Sequence, residues 1–192
     1  LDLLDDAGLV SKVHGGATLR DEHSSDAPGF EAKSLRNMAE KHAIAMAAAA
    51  RVRPGSAIGV TAGTTTWQLA YHLVDIAGLT VVTNSMLVAR ELERRSGIRL
   101  FVTGGEYQAW SEAMVGQTTT HVIADIRADY CLVSASGISD LLCYHPYEDC
   151  AQVKRAMMAS ADKSILLLDH TKLDRRALHT FASMTDFDQV IM

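Results

Sequence analysis

The chain has 192 residues and a mass of 20.8 kDa, and its 48% apolar and 21% charged residues are typical of a folded globular protein, which excludes a disordered chain. Its apolar runs are far shorter than the roughly 20 residues of a membrane-spanning helix, so no membrane partner is expected. Because 18 Lys and Arg stand against 23 Asp and Glu, the net charge of −5 argues against binding of DNA by this segment through bulk charge.

The first 29 residues are predicted to precede the main domain. The chain begins with Leu and carries no signal segment, so we expect it to start inside a longer protein. Residues 1–19 are typical of a helix end, a short apolar strand and a Gly-Gly turn, which we interpret as the remnant of another domain. Residues 20–29 are polar and without periodicity, which predicts a linker. The main domain is therefore predicted over residues 30–192.

From residue 30 onward the sequence predicts alternating helices and strands. Good helix formers over residues 31–52, followed by Pro54-Gly55, predict one long helix. Short β-branched or Leu-rich runs then predict strands at 56–60, 79–83, 98–103, 128–134, 163–168 and 187–192. Helical patterns lie between them at 65–74, 85–95, 116–125 and 148–161. Because the strands are apolar almost throughout, the predicted fold class is α/β, with a largely parallel open sheet flanked by helices.

The cysteines and histidines show no standard catalytic or metal-binding spacing. Three cysteines without a Cys-x-x-Cys pair indicate a reducing compartment, so a cytoplasmic location is predicted. One local group of possible metal ligands fits no zinc pattern and is better explained as a packed loop; it contains Cys143, His145, Glu148, Asp149 and Cys150. The sequence also lacks a Gly-x-Ser-x-Gly motif, so acyl transfer is not expected.

The segment after the first predicted strand is the most informative candidate site. In an open parallel sheet, ligands bind beyond the carboxyl ends of the strands. This segment begins with Thr61, and Gly63 then precedes three threonines at the start of a helix. The first N–H groups of that helix, with the hydroxyls of Thr64, Thr65 and Thr66, predict a phosphate site. A single Thr that merely caps the helix explains the same pattern equally well.

The segments after the other strands carry weaker signals. They contain Asn84, Ser85, Gly104, Gly105, Glu106, Ser136 and Gly137. The Asn-Ser pair suits ordinary turn chemistry as well as ligand contact, and the Gly-Gly pair suits a plain turn as well as the close approach of a ligand. Two cations near the same edge, Lys154 and Lys172, would supply the positive charge that a phosphate requires, although most lysines are simply solvated.

Several short motifs follow one another along nearly the whole chain. They are Gly8-Leu9-Val10, Val13-His14-Gly15-Gly16-Ala17, Gly63-Thr64-Thr65-Thr66, LTVVTNS at 79–85, Thr103-Gly104-Gly105-Glu106, Val153-Lys154-Arg155-Ala156-Met157 and DHTK at 169–172. In this order they resemble the DeoR family of bacterial sugar-metabolism repressors, and the first two resemble the wing of its N-terminal winged helix-turn-helix. The resemblance implies a sensor domain of the ribose-5-phosphate isomerase and glucosamine-6-phosphate deaminase fold type, with a phosphorylated sugar as effector.

The resemblance also assigns roles to individual residues. It implies that residues 63–66 hold the phosphate, with Asn84, Gly104, Gly105, Lys154 and Lys172 around the sugar. Two positions depart from the family pattern, because Thr61 stands in place of a usual Asp and Ser136 stands in place of the Asp of a usual Gly-Ala-Asp-Gly. The loss of two carboxylates removes acceptors for sugar hydroxyls, which favours a different polyol phosphate or another ligand.

Two functional classes therefore remain open. The leading hypothesis is the sensor of a transcriptional repressor, in which a phosphorylated sugar or polyol changes DNA binding by an N-terminal domain. A homo-oligomer is expected from the family, and no cofactor or enzymatic activity is expected. The alternative is a sugar-phosphate isomerase or deaminase, which needs a general base. The carboxylates near the predicted edge are Glu106, Glu148 and Asp169.

Overall fold

The computed structural model describes residues 10–13, 16–19 and 30–192. Its strands are β1 (Val10–Val13), β2 (Gly16–Leu19), β3 (Ala57–Val60), β4 (Thr80–Thr83), β5 (Arg99–Val102), β6 (Glu106–Gln108), β7 (Ala113–Val115), β8 (Ala128–Ser134), β9 (Gly137–Ser139), β10 (Leu142–His145), β11 (Ala161–Leu167), β12 (His179–Ser183) and β13 (Gln189–Ile191). Its α-helices are α1 (Phe30–Ser34), α2 (Met38–Ala49), α3 (Thr64–Leu73), α4 (Met86–Leu92), α5 (Gln117–Ala124) and α6 (Glu148–Ala159).

Six strands form one parallel sheet in the order β13-β11-β8-β3-β4-β5. Each lies at a strand predicted from the sequence, and β8 has the predicted bounds. Val60 at the end of β3 pairs with Thr83 on β4 and with Leu132 on β8, so the carboxyl ends of the central strands meet at one edge. The predicted α/β fold with a largely parallel sheet is confirmed.

Alternate side chains of the sheet enter two apolar cores on its opposite faces. On β11, Ile165 and Leu167 join the core that contains residues of α2 and α3, whereas Leu166 joins the core that contains residues of α5 and α6. These three side chains are at most 1% exposed. Each such side chain contributes roughly 1.5–3 kcal/mol through burial, so the sheet provides a stable platform for the loops at its edge.

The predicted helix over residues 31–52 is wrong in one respect, because it is broken into α1 and α2. Asn37, the residue before α2, has a left-handed backbone with φ of 53°. Its side-chain Nδ2 donates to Asp169 Oδ1 at 3.2 Å and to Thr171 Oγ1 at 3.4 Å. Asn tolerates this conformation better than most residues, and a contact with a distant loop thus outweighs the helix propensity of the local sequence.

Short antiparallel strands were not predicted from the sequence. β9, β10 and β12 form a three-stranded sheet, and β6 pairs with β7. Only Asp140 and Leu141 separate β9 from β10, and both have positive φ, as in a type I′ hairpin turn. That turn usually contains Asn-Gly or Asp-Gly, so the Asp-Leu pair gives no sequence signal for a hairpin here.

The N-terminal prediction is described only in part. β1 and β2 pair in an antiparallel hairpin in which Val10 is opposite Leu19. The predicted helix end before β1 and the predicted linker at residues 20–29 lie outside the described residues, so the domain division stays a prediction. Among the helices that the structure describes, none has the length and apolar character needed to cross a bilayer.

Candidate functional site

The carboxyl edge of the sheet opens into a cavity of about 800 Å³. The sheet order places β4 and β5 on one side of β3, and β8, β11 and β13 on the other, so the order reverses between β3 and β8. Ligands of open α/β sheets bind at such a reversal. The loops after β3 and β8, residues 61–65 and 134–136, line the cavity there. Its volume lies within the range of about 300–1,000 Å³ that is usual for small-molecule sites.

Most of the site residues predicted from the sequence line this cavity. They are Thr61, Gly63, Thr64, Thr65, Asn84, Ser136, Lys154 and Lys172. The structure does not place the remaining predicted residues on the cavity; these are Thr66, Ser85, Gly104, Gly105, Glu106 and Gly137. The cavity also contains residues that the sequence analysis missed, among them Lys33, Asn37, Lys41, Trp110, His145 and Tyr147.

The loop after β3 leads into α3 without a side-chain cap. Gly63 is the residue before the helix, and no side chain accepts a hydrogen bond at this cap. A Cβ at Gly63 would lie 2.2 Å from Ser134 Oγ, so the close approach of the two loops favours glycine. The hydroxyl of Thr66 donates back to the Gly63 carbonyl at 3.0 Å. The alternative in which a threonine caps α3 is therefore not what the structure has.

Asn84, which follows β4, connects to the loop after β3 that contains the candidate phosphate site. Its Oδ1 accepts from the Ala62 N–H at 2.9 Å, and its Nδ2 donates to the Met114 carbonyl at 2.9 Å. Asn84 is 3% exposed. Both the oxygen and the nitrogen of this side-chain amide are therefore hydrogen-bonded to the backbone, and Asn84 positions the loop that precedes α3.

Lys154 on α6 contacts the loops that follow β3 and β8. Its Nζ donates to the Ser134 carbonyl at 2.8 Å and to the Ala62 carbonyl at 3.4 Å, and it lies 5.7 Å from the centre of the Phe181 ring. The side chain is 3% exposed, and this burial lowers the pKa of Lys154 to about 8. The amine is thus mainly protonated at neutral pH and presents a desolvated positive charge at the cavity.

A second buried lysine and a buried carboxylate line the cavity where α1 meets α2. Lys41 is 2% exposed, and its Nζ donates to the Lys33 carbonyl at 2.6 Å. Burial lowers the pKa of Lys41, while the charge of Asp169 opposes this shift. Asp169 is fully buried; its Oδ1 accepts from Asn37 and Thr171, but its Oδ2 has no hydrogen-bond partner among the described residues.

Aromatic side chains supply an apolar part of the cavity lining. The rings of Trp110 and Tyr147 lie 4.3 Å apart between centroids. Beside them, His145 Nδ1 accepts from the Tyr147 N–H at 3.3 Å. Burial, followed by the charge of Lys154, lowers the pKa of His145 to about 3, so this ring is neutral at pH 7.

The cavity is electropositive although the chain is acidic overall. Seven basic residues line it, namely Lys33, Arg36, Lys41, Lys154, Lys172, Arg175 and Arg176. Among the described lining residues, Asp169 is the one carboxylate. Since the whole chain has a net charge of −5, this concentration of positive charge is local. It favours an anionic ligand.

Three of the residues away from the cavity have structural roles. Ser85 Oγ accepts from the Val88 N–H at 3.3 Å and so caps α4. Thr66 is fully buried in α3. A Cβ at Gly137 would lie 2.5 Å from the Arg175 carbonyl oxygen, so this glycine allows β9 and the backbone at Arg175 to pack closely.

The Gly-Gly pair after β5 packs against α5 and does not reach the cavity. The Gly104 carbonyl accepts from Thr119 Oγ1 at 2.7 Å, and a Cβ at Gly105 would lie 2.1 Å from the same oxygen. Glu106 follows on β6 and is exposed. Of the two explanations for this pair, the tight turn is the one that the structure supports.

The candidate catalytic carboxylates are also dispersed. Glu148 Oε1 accepts from Arg155 and its Oε2 contacts His179 Nδ1 at 2.9 Å, away from the cavity, and Glu106 does not line it either. Asp169 remains, but burial, which raises its pKa, is outweighed by hydrogen bonds and nearby cations that hold the pKa below its usual value. In the part of the chain that the structure describes, no group of three or more His, Cys, Asp or Glu is placed to hold a metal.

Comparison with known proteins identifies the family. Residues 36–192 match the family described as the DeoR C terminal sensor domain. The chain belongs to the DeoR family. The resemblance found in the sequence is confirmed, and the matched residues of this DeoR sensor domain carry all of the described cavity lining except Phe30 and Lys33.

Relatives of the DeoR sensor domain are transcriptional regulators. It is 33% identical over 191 residues to the HTH-type transcriptional regulator YgbI of Escherichia coli, covering 100% of this chain and 74% of that protein. It is 32% identical over 194 residues to the HTH-type transcriptional regulator GolR of Listeria innocua, covering 100% and 75%. The glycerol-3-phosphate regulon repressor of Escherichia coli is 30% identical over 193 residues, covering 99% and 75%.

Solved structures with a similar fold include enzymes and translation factors. Ribose 5-phosphate isomerase A from Methanocaldococcus jannaschii matches with a TM-score of 0.53 and 16% identity, over 71% of this chain and 55% of that chain. eIF2B delta from Chaetomium thermophilum matches with a TM-score of 0.58 and 15% identity, over 82% and 56%. At this identity the similarity shows the fold alone.

Proposed function

We propose that this DeoR sensor domain binds a phosphorylated sugar or polyol in the cavity at the sheet edge, and that occupancy changes DNA binding by an N-terminal domain in the cytoplasm. The observation that carries the proposal is the electropositive cavity in an acidic chain, with seven basic lining residues. The buried ammonium groups of Lys41 and Lys154 are shielded from solvent, so they suit a small anion and not a DNA duplex.

The phosphate is proposed to lie at the start of α3. The first N–H groups of a helix have no acceptor within the helix, and no side chain caps α3 at Gly63. Thr64 and Thr65 line the cavity at this point. Lys154 adds a charge there, since its Nζ contacts the carbonyl oxygens of the two loops beside Gly63. N–H groups, hydroxyls and an ammonium together form a strong phosphate site.

The sugar hydroxyls are proposed to meet Asp169 and Ser136. Asp169 Oδ2 is a buried carboxylate oxygen without a partner among the described residues, so it is available to accept from a hydroxyl. Thr61, which replaces a carboxylate usual in the family, is 1% exposed and contacts the Leu132 carbonyl through Oγ1 at 3.4 Å. Asp169 therefore remains as an acceptor for a sugar hydroxyl, although the two departures from the family pattern remove two others.

The names of relatives support this ligand class. One is the glycerol-3-phosphate regulon repressor of Escherichia coli, and another is the L-fucose operon activator of Haemophilus influenzae, 30% identical over 191 residues. The first name contains a polyol phosphate and the second a sugar. The same names favour regulation over the isomerase or deaminase alternative, for which Asp169, with its pKa held below the usual value, is the one carboxylate in the described lining.

The route from ligand to DNA is proposed to pass through α1. This helix is the first element of the main domain, and it lines the cavity with Phe30 and Lys33. The Phe30 ring also packs edge-on against Trp67 of α3 at 6.0 Å. Ligand binding regulates DNA binding only if its affinity differs between two arrangements of the protein. A contact that includes α1 provides such a difference.

Replacement of Lys154 by Met is expected to weaken binding of the phosphorylated ligand by about 1.5–3 kcal/mol, or roughly 10- to 150-fold, because a charged hydrogen-bond donor is lost. Thermal shift with glycerol 3-phosphate, ribose 5-phosphate and glucose 6-phosphate selects the ligand, and calorimetry measures the Kd. Lys163→Met, on an exposed position of β11, is the matched control. Unchanged affinity in Lys154→Met, or conversion of the ligand to product, would contradict the proposal.

The affinity of the wild-type protein is expected to fall as the pH rises from 7 to 9. Because burial lowers the pKa of Lys154 to about 8, the ammonium form falls from about nine tenths to about one tenth over this range. A phosphate ester stays dianionic, since its second pKa is about 6. The affinity therefore decreases by up to about tenfold, as calorimetry at each pH will measure. Lys154→Met should show a clearly smaller decrease, and equal decreases in both proteins would exclude Lys154 as the titrating group.

A further inference from the structure

A second group of lysines, on elements other than α6, also lines the cavity. It consists of Lys33 on α1, Lys41 on α2 and Lys172 after β11. Lys41 Nζ donates to the Lys33 carbonyl at 2.6 Å, whereas Lys154 Nζ donates to carbonyls of the loops after β3 and β8. The two buried ammonium groups thus have different hydrogen-bond partners. An anion would therefore meet a lysine either beside the loops after β3 and β8 or beside Lys33, Lys41 and Lys172.

The charge of this second group is not balanced by the protein groups that line the cavity. Asp169 is the one carboxylate in the described lining, against the three lysines of the group. Lys41 is 2% exposed and its Nζ donates to a neutral carbonyl, and the charges of Asp169 and Glu40 do not outweigh the effect of burial, which lowers its pKa. A buried ammonium without full compensation is unfavourable, so an anionic ligand group at this place would offset the cost.

The same place also offers an acceptor for a hydroxyl. Asp169 Oδ1 accepts from Asn37 and Thr171, which fixes the carboxylate, while Oδ2 has no partner among the described residues. A hydroxyl next to the ligand's anionic group would satisfy this oxygen. The second group of lysines therefore suits the end of a polyol that carries a charged group beside a hydroxyl.

We infer that the ligand is a polyol with an anionic group at each end, that is, a phosphorylated sugar acid or a sugar bisphosphate. This inference rests on the proposed function, because it takes the phosphate at the start of α3 as the first anion. The second anion, a carboxylate or a phosphate, lies against Lys33, Lys41 and Lys172. A cavity of about 800 Å³ has room for such a ligand.

Two matched pairs of probes test the inference by calorimetry. Glucose 6-phosphate is compared with 6-phosphogluconate, and fructose 6-phosphate with fructose 1,6-bisphosphate. In at least one pair, the member with two anions is expected to bind at least tenfold more tightly, and that pair tells whether the second group is a carboxylate or a phosphate. Equal affinities within both pairs would overturn the inference but leave the proposed function intact. If no probe binds, and inorganic phosphate does not bind either, the proposed function itself fails.

Variants then locate the second anion. Lys41→Met and Lys172→Gln are expected to reduce the tenfold preference to less than threefold, whereas Lys154→Met should weaken both members of a pair by similar factors. Lys172 is only half-buried, so its variant keeps the test valid if Lys41→Met does not fold, which circular dichroism will show. The exposed Lys163→Met is the control. A preference that survives in the folded lysine variants would overturn the assignment.

Discussion

Replacement of Gly105 by alanine is expected to lower the free energy of unfolding by about 3–5 kcal/mol, the range of the most damaging single substitutions. The new Cβ would lie 2.1 Å from Thr119 Oγ1 and 2.6 Å from the Val115 carbonyl oxygen. The backbone φ of 113° adds strain, since side chains rarely adopt it. The Val115 carbonyl belongs to the backbone of β7 and cannot rotate away, so the turn after β5 must separate from β7 and α5.

Gly104 provides the matched control for this experiment. It also has a positive φ, 67°, but no atom lies within 4 Å of a Cβ built there. Gly104→Ala should therefore lower the free energy of unfolding only by the cost of the left-handed backbone, about 1–2 kcal/mol, as measured by urea unfolding. Equal losses in the two variants would contradict the packing explanation. A stable Gly105→Ala variant with weakened ligand affinity would restore Gly105 to the binding site.

The fold could be predicted where local sequence determines it. The strand at residues 128–134 is predicted with the observed bounds, because its central residues 130–133 are apolar and buried. The break between α1 and α2 could not be predicted, because it depends on a hydrogen bond from Asn37 to Asp169, 132 residues away. The β9–β10 turn was missed because its Asp-Leu pair is not the usual sequence for its backbone.

The cavity lining could be predicted in part for the same reason. Residues within two positions of a strand end, such as Thr61 and Ser136, lie at the sheet edge whatever the rest of the chain does. The Gly104-Gly105 pair shares that position, but packing against α5 separates it from the cavity. Lys41 was missed, although a signal was present: it lies three residues before Ile44 on the buried stripe of α2, where a charge is unexpected.

Asp169→Asn is expected to lower the free energy of unfolding by about 3 kcal/mol at pH 7, because it removes one partner from a buried charge network. The Asp169 carboxylate accepts from the Thr171 N–H at 3.1 Å and from Asn37 at 3.2 Å. The negative charge of Asp169 also raises the pKa of Lys41, which burial lowers. An amide retains part of the hydrogen bonding but none of the charge. Urea unfolding at pH 7 measures the loss.

The pH dependence of this loss in the free energy of unfolding distinguishes the effect of the Asp169 charge from the effect of the side chain's shape. Burial opposes ionisation of Asp169, but hydrogen bonds from Thr171 and Asn37 and the charges of Lys172 and Lys41 hold its pKa below the usual 3.8. A carboxylate whose pKa is lower in the folded state than in the unfolded state stabilises the fold. This stabilisation is complete at pH values above the unfolded pKa and is lost as the pH falls through the folded pKa. The difference between wild type and Asp169→Asn should therefore shrink below about pH 4. Asp162→Asn, at an exposed position of β11, is the control substitution. A difference between wild type and Asp169→Asn that does not depend on pH would mean that the charge of Asp169 contributes nothing.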